Sequence, residues 1–196
     1  TQLEINAVIG FENKNSVLTK IREKIIKGFC TFKIKVGRED VKEDFLLIKN
    51  IREEFGSEIN LRLDANRAWS SDEALEYINE FQQYNISYIE EPCEFICSNF
   101  KMIEESPVPI AIDESLISFE NAGKLIKECN AEFIILKPMI LGGIISSFEL
   151  IKEAEKKDKK IIISSSFESA IGKSALVLLA AGTTHSFAHG LDTSEY

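Results

Sequence analysis

Reactive residue types recur in this chain at the ends of short apolar segments. They are Lys33 and Lys35, then Asp64, Glu90, Asp113, Lys137 and Ser164. From Lys35 onward the steps are 23 to 29 residues, the length of one strand-plus-helix unit. In a barrel of such units, side chains at successive strand ends point into one common mouth. Asp64, Glu90 and Asp113 come from consecutive units and form an all-oxygen set. Such a set favours a hard cation, Mg2+ first and Mn2+ as an alternative, over the nitrogen and sulfur ligands that zinc prefers. Lys33 and Lys35 alternate about Ile34 and so face one way. Their mutual repulsion and a nearby divalent ion are expected to lower their pKa values, which suits a lysine for work as a base. Any one of these charges alone would read as a solvated loop residue or an ion-pair partner. Their recurrence at unit spacing favours one shared site.

The elements that must position them alternate throughout. Strands are expected at Glu4–Gly10, Cys30–Val36, Asn60–Asp64, Ile86–Glu90, Pro109–Asp113, Glu132–Lys137 and Ile161–Ser164, with a final one at Phe187–Leu191. Helices are expected at Ser16–Lys27, over the stripe from Val41 to Phe55, at Ser71–Tyr84, Ser98–Glu105 and Phe119–Cys129, from Gly142–Gly143 to Asp158, and at Ala170–Ala181. On the first helix the apolar stripe is Val17, Leu18, Ile21, Ile25 and Ile26. Ser70 and Glu73 have the spacing of a capping box just after the Asp64–Ala65–Asn66 junction. Uninterrupted alternation implies a parallel sheet with helical crossovers. No GxGxxG or Walker-type loop is present, so a (β/α)8-like barrel is preferred to a nucleotide-binding doubly wound sheet. Gly142–Gly143 before a helix could cradle an anion, but a tight strand-to-helix turn is the commoner reading.

Composition narrows the partners. With 23 Lys and Arg against 32 Asp and Glu, the chain is acidic, and it has no basic stripe for nucleic acid or an anionic membrane. No apolar run approaches a membrane span, and no signal segment opens the chain, so a soluble cytoplasmic protein is expected. Cys30, Cys93, Cys97 and Cys129 form no CxxC pair and read as free thiols of a reducing compartment rather than half of a metal site. A homo-oligomer is compatible with all of this.

Lys33–Ile34–Lys35, Asp64–Ala65–Asn66, Glu90–Glu91–Pro92, Asp113–Glu114–Ser115 and Lys137–Pro138 resemble, in order and spacing, the barrel motifs of the enolase superfamily, muconate-lactonizing subgroup. Within it, Leu61–Trp69, Glu90–Cys93, Asp113–Leu116, Ile163–Glu168 and Gly190–Thr193 most resemble the o-succinylbenzoate synthases of menaquinone biosynthesis. Members of that superfamily pair a lysine or histidine base with Mg2+ on an enediolate. The resemblance implies Asp64, Glu90 and Asp113 as metal ligands, with Glu91 set aside because it lies past the strand end beside Pro92. It implies Lys35 as the base that later protonates the departing hydroxyl, and Lys137 as an electrostatic stabiliser of the dienediolate. Lys33 would hold the small-molecule substrate's carboxylate, and Ser164 and Ser166 would contact its succinyl group. Asn66, Arg62 and Glu114 would orient the ligands.

Relatives of this kind carry an N-terminal α+β capping domain that closes over the barrel mouth. This chain opens on the segment that resembles the first barrel strand. Residues 1–196 are therefore expected to be the C-terminal barrel domain of a longer protein, one that binds Mg2+ but turns over poorly alone. Two other readings remain. One is an N-succinylamino acid racemase or dipeptide epimerase, which needs Lys35 and Lys137 as opposed bases. The other is a non-catalytic barrel module that uses Phe187–Tyr196 and the open mouth as interaction surfaces.

Overall fold

The computed structural model describes residues 3–94 and 100–193. Cys97 and the start of the helix expected from Ser98 lie outside these. The last residues of the Phe187–Tyr196 surface also lie outside them. The chain forms two compact units, one of Ala7–Ile110 and one of Thr1–Asn6 with Ala111–Tyr196.

The first unit holds β1 (Ala7–Ile9), α1 (Lys14–Ile26), β2 (Thr31–Lys35), α2 (Val41–Phe55), β3 (Asn60–Asp64), α3 (Ser71–Phe81), β4 (Ile86–Glu90) and α4 (Phe100–Glu105). Its strands pair in chain order and all parallel. Strands β2 to β4 are largely buried although charged residues alternate with apolar ones along β2 (Thr31–Lys35) and β3 (Asn60–Asp64). The helices start where side chains cap them: Asn13 on Ser16 N, Asp40 on Lys42 N, and Ser70 on Glu73 N with the reciprocal Glu73 bond of a full capping box. Only the front of the α1 stripe is core. Val17, Leu18 and Ile21 are buried, whereas Ile26 at the helix end is 86% exposed.

The second unit holds β5 (Ile110–Ile112, which begins at the last residue of the first unit), α5 (Phe119–Glu128), β6 (Phe133–Leu136), α6 (Ile144–Glu155), β7 (Lys160–Ile163) and α7 (Ala170–Ala181). Here too the pairing is parallel and in chain order. The expected eighth strand at Phe187–Leu191 is reduced to two bridging residues, His189 to Ile5 and Gly190 to Ser164. They still do a strand's work. His189 N donates to Glu4 O and Asn6 N donates to His189 O, while Gly190 N donates to Ile163 O and Ser165 N to Gly190 O. The α/β class with parallel strands and helical crossovers is thus as the sequence predicts, with seven strands among the described residues. No helix among them is long and apolar enough to cross a membrane.

Candidate active site

Register decides the site of the first unit. Lys35 lies beside Asp64, and Asp64 beside Glu90, in one row at the C-terminal ends of β2, β3 and β4. This row depends on an irregularity. Leu61 pairs with Ile86 but Arg62 pairs with Tyr88, so β4 carries one extra residue there. Without that bulge Asp64 would stand opposite Ile89, and its carboxylate would have no acidic neighbour. One row deeper, Lys33 lies beside Arg62, whose guanidinium sits 4.9 Å over the ring of Tyr88. Arg62 therefore packs on an aromatic ring below the row.

Lys33 reaches up from that deeper row. Its Nζ donates to Glu90 Oε1 at 2.8 Å and lies 3.0 Å from Asp64 Oδ2. Asp64 Oδ2 also accepts from Lys35 Nζ at 2.7 Å, and Lys35 bonds Asn66 Oδ1 as well. Both carboxylates are buried, at 1% side-chain exposure each. Burial pulls the Lys33 pKa down, but the Glu90 and Asp64 carboxylates outweigh it and hold the pKa well above the usual lysine value. The lowered value expected for Lys33 is therefore not what the metal-free site produces. Here carboxylates, rather than a divalent ion, are its neighbours. For Asp64, burial pushes the pKa up, yet Lys33 and Lys35 prevail and leave it below the ordinary aspartate value.

Asp64 and Glu90 fit a hard cation by two tests. They are oxygen donors shut away from water, and they already converge on one positive nitrogen. No cluster of three or more His, Cys, Asp or Glu side chains gathers among the described residues. Glu91, next in the chain, is fully buried and turns to Arg67, with Arg67 Nε donating to its Oε1 at 3.0 Å.

In the second unit, Asp113 is 5% exposed just past β5, and its carboxylate accepts from Lys137 Nζ just past β6. Glu114 follows in the turn, partly exposed. After β7, Ser164 is buried and lies tight against Gly190, where a Cβ would come within 2.8 Å of its Oγ. Ser166 N donates to both oxygens of Glu168, at 3.0 and 2.8 Å, and Ser165 Oγ donates to Glu168 Oε2 at 2.6 Å. The Ser166 hydroxyl is shielded and makes no hydrogen bond among the described residues. Sequence reasoning assigned no role to Arg67, Ser165 or Glu168. Each depends on a bend that residue type alone does not announce.

With this geometry in place, the comparisons are specific. The family described as Enolase C-terminal domain-like matches residues 16–195. The o-succinylbenzoate synthase of Pasteurella multocida is 33% identical over 173 residues, covering 86% of this chain and 51% of that protein. The crystal structure of MenC from Desulfotalea psychrophila superposes with a TM-score of 0.91 at 27% identity, over 100% of this chain and 55% of that one. The dipeptide epimerase of Enterococcus faecalis, complexed with Mg and the dipeptide L-Leu-L-Tyr, gives 0.90 at 31% identity, over 97% and 55%. The chain spans about half the length of these relatives. It belongs to the enolase C-terminal domain-like family.

Proposed function

We propose that this chain is the catalytic domain of an o-succinylbenzoate synthase-type lyase. Its reaction would convert 2-succinyl-6-hydroxy-2,4-cyclohexadiene-1-carboxylate to o-succinylbenzoate and water. The observation that carries this reading is the row Lys35–Asp64–Glu90, with the lysine nitrogen held at its end by Asp64 and Asn66.

Asp64 and Glu90 are the residues of the first unit that would hold Mg2+, or Mn2+, and the family resemblance implies Asp113 as a further ligand. When bound, the ion supplies Lewis-acid neutralisation of the charge that develops on a substrate carboxylate. Lys35 takes the proton alpha to that carboxylate onto Nζ and returns it to the departing β-hydroxyl. The base ends as it began, and one water leaves as the ring becomes aromatic. Lys35 Nζ lies 2.7 Å from Asp64 Oδ2, so the base stands directly beside a residue that would hold the ion. Lys33 binds the substrate carboxylate. Lys137 adds a fixed positive charge where negative charge accumulates. Ser164 and Ser166 offer hydroxyls to the succinyl group, and the shielded Ser166 Oγ suits that part.

The test follows the diene absorbance of the substrate with Mg2+ and then with chelator, on this chain and on Lys35→Ala. Metal-dependent loss of absorbance that vanishes in the variant supports the reading. Turnover that persists in Lys35→Ala ends it. The similarity to the dipeptide epimerase favours a second reading, in which Lys35 and Lys137 are two opposed bases. Exchange of an amino acid's alpha proton with solvent deuterium, lost in either lysine variant, would select that one.

A further inference from the structure

The loops after β2, β3 and β4 hold one another tightly. Six non-glycine residues among those described have left-handed backbone, and Asn66 (φ 46°), Arg67 (62°) and Glu91 (41°) fall in two of these loops. Such conformations persist only where their surroundings over-determine them. The surroundings here are explicit. Arg67 N donates to Glu91 O at 2.7 Å and Arg67 Nε to Glu91 Oε1 at 3.0 Å. On either side, Ala65 N donates to Glu90 O and Trp69 N to Pro92 O. From the β2 side, Gly37 lies so close that a Cβ there would stand 2.4 Å from that of Ala68. Glu91 is fully buried while the Arg67 side chain is 31% exposed. This carboxylate therefore faces the neighbouring loop, not solvent. The residue it fixes is next in sequence to Asn66, whose Oδ1 bonds the Lys35 ammonium.

We infer that Arg67 and Glu91 are positioning residues for the base. By fixing the left-handed bend at Asn66 and Arg67, the pair keeps Asn66 Oδ1 on Lys35 Nζ and sets where that nitrogen points. The catalytic meaning of this rests on the reading of Lys35 as base, whereas the positional claim rests on the contacts alone. Glu91→Gln keeps the shape and an acceptor but removes the charge. Arg67→Lys keeps the charge but loses the planar fork.

The experiment is NMR of the Lys35 side chain in the isotopically labelled chain, assigned with Lys35→Ala, with Lys137 as internal control. In both variants the Lys35 Cε and Nζ signals are expected to move, and the contact to the Asn66 amide to weaken, while those of Lys137 hold. Where turnover is measurable, kcat should fall about tenfold with KM within about twofold. Unchanged Lys35 signals in a folded variant overturn the inference, as does equal movement of Lys35 and Lys137. If Glu91→Gln fails to fold, Arg67→Lys, altered at a partly exposed position, decides alone. Lys35 signals that respond in a chain without turnover uphold the positional claim and count against the reaction instead.

Discussion

Lys33 Nζ lies 2.8 Å from Glu90 Oε1, and the same nitrogen is 3.0 Å from Asp64 Oδ2. One ammonium thus bridges two carboxylates that have almost no access to water, with Lys35 supplying a second positive charge to Asp64. Burying either carboxylate without a partner would be strongly unfavourable, so this lysine is as much a structural cation as a substrate contact. A divalent ion held by Asp64 and Glu90 would share these carboxylates with it.

Replacing that cation should therefore be costly only while no other is present. Lys33→Met leaves two buried carboxylates short of a charge, and a loss of about 3–5 kcal/mol is expected in metal-free urea unfolding. With saturating Mg2+ the deficit should shrink, because the ion takes over part of the neutralisation. An equal deficit with and without Mg2+ would mean that the metal does not use these oxygens.

The same cluster sets the pH response of the metal-free protein. The pKa of Asp64 is depressed below the ordinary 3.8 by Lys33 and Lys35 against the pull of burial. Its contribution is present above pH 3.8 and is lost as pH falls through the lower folded value. For Lys33 the folded pKa is raised above 10.5, because Glu90 and Asp64 overcome burial. Its contribution is complete below pH 10.5 and is lost as pH rises through the folded value. Urea midpoints across pH should show both losses in the wild type and a diminished alkaline loss in Lys33→Met. An identical alkaline limb in the two proteins would count against the cluster as its source.

Gly37 tests the loop packing directly. Its φ of 103° is left-handed, and a methyl there would meet Ala68 Cβ at 2.4 Å and Ala65 O at 3.3 Å. Ala68 belongs to the bend that carries Asn66, so the clash must move backbone rather than a flexible side chain. Gly37→Ala is expected to lose about 1–3 kcal/mol in chemical unfolding. Its metal affinity should also weaken, since the displaced loop follows Asp64. A neutral substitution would show that these loops yield easily.

Much of this was legible in residue order. Asn60–Asp64 and Ile86–Glu90 are strands to the residue, because each apolar run ends abruptly in charge and then in turn-forming residues. The row of reactive residues follows from unit spacing alone. What sets their alignment does not. Nothing in Ile86–Ser87–Tyr88 marks a bulge, yet the bulge decides that Glu90 rather than Ile89 stands beside Asp64. Glu90 and Glu91 are chemically identical neighbours in the sequence. Only the left-handed backbone at Glu91 turns its carboxylate to Arg67. The raised pKa of Lys33 in the metal-free site is not legible for a related reason: the balance between burial and two carboxylates is a property of distances, not of alternation about Ile34. Phe187–Leu191 has a strand's composition, but its pairing is confined to His189 and Gly190.

Glu168 offers a test in the second unit that is independent of the lysines. Its carboxylate accepts from Ser165 Oγ and from Ser166 N, while Phe167, between Ser166 and Glu168, is left-handed at φ 65° and its N–H donates to Ser165 Oγ. Thr193 Oγ1 donates to the same Ser165 oxygen. The carboxylate thus holds a bend that leaves the Ser166 hydroxyl shielded and without a hydrogen bond among the described residues. Glu168→Ala removes the acceptor, and a loss of about 1.5–3 kcal/mol is expected for hydrogen bonds to a charged group. Amide exchange at Ser166 and Phe167 should accelerate first, because the left-handed turn can then relax locally. If Ser164 and Ser166 bind the succinyl group, KM should rise while kcat holds, as for lost ground-state binding. A fall in kcat at constant KM would instead place this loop with the chemistry, and unchanged exchange at both amides would show that the bend does not depend on Glu168.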